Sequence, residues 1–324
     1  MIDLVAEQTP LGGLERWLRD PSVNELMVNA GSEIWVERGG VVAHVGRMRP
    51  ATLLATIEHI LTPIGRRLDR AHPMVDARLP DGSRVCAVIA PIAVDGACLT
   101  IRRFQQRTLG LDRFATPPLV PLLRELVQRR CNVVVSGATS SGKTTLLNTL
   151  ALEIETGERV ITLEDTAELQ LPHPHVVRLE TREATPDGVG EVTLAHLLRT
   201  ALRLRPDRLV VGEIRGEEAV HLLQALNTGH DGSMATVHAN SAADALARLS
   251  SLVLQQVANW PLAAVQQHVA RAVDVVVHVA RGTDGARTVV EVAEVVAEVA
   301  GSAIATRQLA TESAITGLLK RSRR

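Results

Sequence analysis

The sequence predicts an α/β chain in two parts. An α+β domain spans 1–103, a linker spans 104–118, and a domain built on a mostly parallel sheet spans 119–324. Three observations carry this reading. The first part shows short strands joined by tight turns, with few helices between them. The second part alternates apolar strands with helical segments, the pattern of strand–helix–strand crossovers. Between them lies a stretch without periodicity that ends in Thr116-Pro117-Pro118. The 324 residues, 46% hydrophobic and 22% charged, suffice for two buried cores and exclude a disordered chain.

In the first part, apolar spacing predicts a helix over 11–19, strands over 25–29 and 33–37, a turn at Gly39-Gly40 and a helix over 51–62. Pro80-Asp81-Gly82-Ser83 separates two strand-like runs, 75–79 and 84–89, and so predicts a hairpin. A strand over 98–102 closes the unit. In the second part a helix over 121–130 precedes an apolar strand over 132–136. Helices over 143–155, 194–204, 217–227, 242–256 and 262–271 then alternate with strands over 159–163, 176–180, 208–211, 234–238 and 273–279. A last strand over 288–295 follows the turn Arg281-Gly282-Thr283-Asp284-Gly285.

Charge and composition exclude several functions. The 35 Lys+Arg face 36 Asp+Glu, a net charge of −1, which leaves no overall electrostatic footprint for nucleic acid. Aromatic residues are 2% of the chain and tyrosine is absent, which argues against a stacking platform for bases or sugars. Only Lys143 and Lys320 are lysines. Cys86, Cys98 and Cys131 form no C-x-x-C pair and are expected to be buried apolar residues in a reducing compartment. Asp3 and Glu7 stand where a signal peptide needs basic and then apolar residues, and the longest apolar tract near the C-terminus is broken by Glu291, Glu294 and Glu298. The expectation is a cytoplasmic protein whose basic end, 320–324, is a solvated tail.

Gly137-Ala138-Thr139-Ser140-Ser141-Gly142-Lys143-Thr144 fits G-x-x-x-x-G-K-[ST] between an apolar strand and a helix. Successive backbone N–H groups there form an anion nest, and the following helix presents its positive end. Lys143 is positioned to neutralise β- and γ-phosphate charge and the Thr144 hydroxyl to bind Mg²⁺, with Thr145 continuing the loop.

Three further segments follow. Glu164-Asp165-Thr166-Ala167-Glu168 places acids at the end of an apolar strand, where they face the phosphate side of a parallel sheet. Arg208-Leu209-Val210-Val211-Gly212-Glu213-Ile214-Arg215 is a strand ending in an acid, with Gly212 where a metal-side Asp commonly stands; metal contact by Glu213 is then expected to run through water. Thr228-Gly229-His230-Asp231-Gly232-Ser233-Met234-Ala235-Thr236-Val237-His238 flanks a turn and a strand with two imidazoles able to donate to a phosphate oxygen. Their spacing is not that of a zinc site.

Together the four segments resemble the type II/type IV secretion-system ATPase family, and within it the Tad/Flp pilus-assembly and conjugal-transfer-associated branch. The likeness also runs through 73–85, 99–104, 170–181 and 203–208. It implies that the second domain is a RecA-like P-loop NTPase domain, with ATP and Mg²⁺ as cofactors and 137–145 as the cradle. It implies that Glu164 and Glu213 share water activation and Mg²⁺ organisation, with either as general base, and that His230 and His238 sense the γ-phosphate. Arg102 and Arg103 are the arginines it places toward the nucleotide phosphates. The implied protein is a homo-hexamer that hydrolyses Mg-ATP to power pilus assembly or secretion. It would act on an inner-membrane platform protein, peripheral at the inner face of the cytoplasmic membrane through its partners, without direct nucleic-acid contact. Two other readings stay open: an ATP-binding scaffold without turnover, and a conjugal DNA-transfer motor. Ala138 and Ser140 stand where the family commonly has glycine, so a positive φ at either is strained. An additional N-terminal docking module, common in relatives, is expected to be absent.

Overall fold

The computed structural model describes residues 11–103, 109–182, 184, 188–257, 259–282, 285–300 and 303–321, the side chains of 298–300 excepted. It divides into two compact units, Met1–Arg107 and Thr108–Arg324. The mixed α/β class holds, with an antiparallel sheet in the first unit and a mostly parallel one in the second.

The first unit contains α1 (Glu15–Leu18), β1 (Glu25–Asn29), β2 (Glu33–Arg38), β3 (Val41–Arg47), α2 (Pro50–Leu61), β4 (Met74–Arg78), β5 (Arg84–Val88) and β6 (Cys98–Arg102). The strands order as β3-β2-β1-β6-β5-β4. Each neighbouring pair is antiparallel. Alternate residues such as Leu26, Val28, Ile34, Val36, Leu99 and Ile101 turn inward against Leu53, Ile57 and Trp17, giving the core. Two expectations change. The helix expected over 11–19 shrinks to one turn, because Gly12 and Gly13 take positive φ of 59° and 83°. The Gly39-Gly40 turn leads into a third strand, β3, whose first four residues are exposed at the sheet edge. An edge strand need not alternate, so the sequence pattern does not mark it.

The second unit contains α3 (Leu119–Gln128), β7 (Val133–Gly137), α4 (Lys143–Ala151), β8 (Val160–Glu164), β9 (Val176–Glu180), α5 (Leu194–Ala201), β10 (Arg208–Ile214), α6 (Glu218–Asn227), β11 (Met234–His238), α7 (Ala242–Leu254), α8 (Leu262–Ala272), β12 (Val275–Arg281), β13 (Arg287–Ala300) and β14 (Ala303–Thr311). The sheet runs β14-β13-β12-β7-β11-β10-β8-β9. From β12 to β9 every pairing is parallel. The pairings of β12 with β13 and of β13 with β14 are antiparallel. The strands are apolar on both faces because helices cover both. Val134, Val211 and Val237 pack against α5–α8, while Val133, Val135 and Val210 pack against α3 and α4. The strand β14 lies beyond the last strand expected from the sequence.

Of the expected linker, 104–108 lie outside the described residues, whereas Leu111, Phe114 and Ala115 are buried in the core of the second unit. The expected solvated tail is also corrected. The backbone N–H groups of Lys320 and Arg321 donate to buried Glu294 Oε1 at 2.8 and 2.6 Å, and Arg321 pairs with Asp274 at 3.2 Å. Residues 322–324 lie outside the described residues. Of the three free cysteines only Cys131 is buried; Cys86 is exposed and Cys98 half-buried, because alternate positions of β5 and β6 face outward. Among the described residues no helix is long and apolar enough to cross a membrane.

Candidate functional site

Parallel strands direct their carboxyl ends to one edge of the sheet, and the loops there collect the polar groups. The loop 137–142 leaves β7 and enters α4 at Lys143. Ser140 takes φ +60°, so the serine that stands in place of glycine carries a left-handed conformation that costs strain; Ala138 does not. Ala138, Thr139 and Ser140 are exposed, Ser141 is buried, and Thr144 and Thr145 are half-buried at the helix start. The first backbone N–H groups of α4 have no intrahelical acceptor, which leaves the loop suited to an anion.

Lys143 is 7% exposed. Its Nζ donates to Ala138 O at 2.9 Å and lies 3.3 Å from His238 Nε2. Burial holds the Lys143 pKa below the ordinary lysine value, against the pull of Glu213. His238 ends β11 and pairs in register with Gly137. Its pKa is lowered by burial and then by the Lys143 cation, which favours the neutral ring. Glu213 reaches both sides of this cluster, with Oε1 3.4 Å from His238 Nε2 and Oε2 2.5 Å from Arg215 Nη2.

A bulge places Glu213. Val211 pairs with Ala235 but Ile214 pairs with Val237, so β10 advances one residue more than β11 across Gly212 and Glu213. Thr236 Oγ1 donates to Gly212 O at 2.6 Å and fixes that irregularity. The absence of an Asp at 212 has a steric reason. A Cβ at Gly212 would lie 2.8 Å from Glu164 Cγ, so the Glu164 side chain fills that space.

Glu164 ends β8 and is 2% exposed. The loop after it folds back, and the N–H groups of Glu168 and Leu169 each donate to Oε1 at 2.9 Å. Oε2 is buried without a hydrogen-bond partner. Burial outweighs the two amides and pushes the carboxyl pKa up to about 7. The folded chain therefore holds a proton that the unfolded chain, at 4.5, has released. That contribution to stability is complete below the unfolded pKa and is lost as pH rises through the folded one. Glu164→Gln is expected to flatten this dependence. Its stability relative to wild type should rise by up to ~3 kcal/mol between pH 4.5 and pH 8. Chemical unfolding at both pH values measures it, and parallel pH profiles for the two proteins would contradict the buried acid.

His230 is not at this edge, contrary to the expectation from sequence. It precedes β11, next to the start of β7, where Ser233 O accepts from Val133 N at 3.0 Å. The length of β11, on the order of 13 Å, separates it from His238. Its Nδ1 donates to Ala225 O at 3.2 Å. That far edge is held by buried polar groups. Arg208, 1% exposed, meets Glu158 through Nε at 2.7 Å and Nη2 at 2.8 Å, and its Nη1 donates to Val127 O and Gly232 O. Asn132 Oδ1 accepts from Gly232 N at 2.9 Å, and the Asn132 N–H donates to Asp274 at 2.8 Å. His230 thus belongs to a structural clamp at the strand starts.

Arg103 is also committed. Its Nη1 donates to Asp20 O, and to Val23 O at 3.3 Å, inside the first unit. Arg102 is exposed at the end of β6. It pairs in register with Arg84, which pairs with Arg78, so three arginines stand in a row across β6, β5 and β4. Like charges directly opposite repel, and Glu25 of β1 stands in register on the other side of Arg102 to offset its charge. Sequence reasoning did not find Arg78, Arg84, Arg215 or the Glu164–Gly212 contact. Only the strand register and the bulge bring them into view.

The profile of the type II/IV secretion system protein family matches residues 7–320. The chain belongs to this family. It is 37% identical over 280 residues to the conjugal transfer protein TrbB of Rhizobium radiobacter, which covers 83% of each chain. It is 35% identical over 308 residues to the type IV secretion system protein VirB11 of Brucella suis, covering 83% of this chain and 84% of that one. The fold is shared with the ATPase DotB of Legionella pneumophila, at a TM-score of 0.64 and 21% identity over 92% of this chain and 85% of that one.

Proposed function

We propose that this family member hydrolyses Mg-ATP to power pilus assembly or protein secretion of the Tad/Flp type. The observation that carries the reading is the meeting of Lys143, His238 and Glu213 at the phosphate loop, with the buried, unpartnered Oε2 of Glu164 close by on the neighbouring strand. Loop residues 137–145 would hold the phosphates and Lys143 would leave Ala138 O for the β- and γ-oxygens. The hard oxygens of Thr144 and Glu213 would suit Mg²⁺, with Glu213 acting through water. When bound, the ion would supply positive charge to the phosphate oxygens. Glu213, held by Arg215, would orient the attacking water, and Glu164 would serve as the proton reservoir beside it. Neutral His238 would donate to the γ-phosphate and so report its loss.

Turnover would be coupled to motion in a closed ring. A homo-hexamer at the cytoplasmic face of the inner membrane, acting on a platform protein, is the assembly proposed here. In a phosphate-release assay the wild type should turn over, and Glu213→Gln should bind ATP with turnover reduced by roughly 10²-fold or more. Light scattering with an ATP analogue should give the mass of six chains. Full turnover in Glu213→Gln would refute the site assignment, and a fully active monomer the ring. A scaffold without turnover would fail the wild-type arm of the same assay. The likeness to TrbB, a conjugal transfer protein, favours a second reading as a conjugal DNA-transfer motor. ATP hydrolysis stimulated by DNA, with a steep salt dependence, would select it.

A further inference from the structure

We propose that Arg287 grips the nucleoside end of the bound nucleotide; this rests on the reading that the loop takes ATP. The surroundings of the loop are asymmetric. On one side of β7 stand β11 and β10, bearing His238 and Glu213 beside Lys143. On the other side stand β12 and then β13. A nucleotide whose terminal phosphate lies at the Lys143–Glu213–His238 end directs its nucleoside toward β12 and β13.

Arg287 is the first residue of β13 and pairs in register with Arg281. Its side chain lies across the loop. A Cβ at Gly142 would be 2.7 Å from Arg287 Cδ and 3.5 Å from both its Cγ and its Nε. Gly142 has φ +97° and caps α4, so the arginine stem runs over the backbone that opens to an anion. The stem ends in a planar cation able to stack on a base.

The test compares ADP with inorganic tripolyphosphate, which has no nucleoside, by calorimetry on the full chain. Arg287→Met keeps an alkyl cover over Gly142 and removes the plane and charge; Arg287→Lys keeps the charge and removes the plane. Both variants should bind ADP about 3- to 10-fold more weakly, the scale of a cation stacked on a ring. Both should bind tripolyphosphate within about twofold of wild type, with unchanged melting midpoints. Equal losses for the two ligands would move Arg287 to the phosphate chain and overturn the proposal, as would unchanged ADP affinity. Wild-type affinity for both ligands in Lys143→Ala would overturn the nucleotide-site reading, and this proposal with it.

Discussion

Lys143→Ala is expected to lower ATP hydrolysis by roughly 10²- to 10³-fold, the scale for removing one charge-stabilising group from a phosphoryl-transfer site. Lys143 is 7% exposed and its ammonium is already partnered by Ala138 O and His238, so it is held in place before any ligand arrives. Lys143→Arg is expected to fail as well. A guanidinium is planar and longer, and its fork does not fit where a compact ammonium sits between loop carbonyl and imidazole. The chain uses arginine for all but two of its 35 basic residues, yet keeps lysine here. Phosphate release at saturating ATP measures the effect. Either variant retaining more than about a tenth of wild-type turnover would contradict this role for Lys143.

Glu158→Ala is expected to destabilise the second unit by about 3–5 kcal/mol, because it strands the buried Arg208 guanidinium without its carboxylate. Arg208 opens β10 and Glu213 stands one residue before its end, so the change strikes the strand at the end away from the chemistry. Urea unfolding monitored by circular dichroism checks the loss, and Glu158→Ala combined with Arg208→Met should recover much of it. A loss below ~1 kcal/mol would mean that water already screens the pair.

The phosphate loop was legible because its chemistry is written in consecutive residues. The parallel sheet was legible because its strands are apolar on both faces and lie between helices. The edge strand β3 was not, since Val41, Val42, Ala43 and His44 are exposed and carry no burial pattern. His230 and His238 looked equivalent from spacing, but a strand lies between them and a strand has two ends. Arg103 looked like a phosphate ligand, but two carbonyls of its own unit already claim it. Arg287 was invisible for a different reason. Only the antiparallel return of β13 along β12 brings it over Gly142.

The contact between Gly212 and Glu164 couples the two positions. An aspartate at 212 and a long buried acid at 164 compete for one volume, so each excludes the other sterically. This backbone accommodates an acidic residue at 212 only if the Glu164 side chain shifts or shortens, so a change at one position alters what the other can hold.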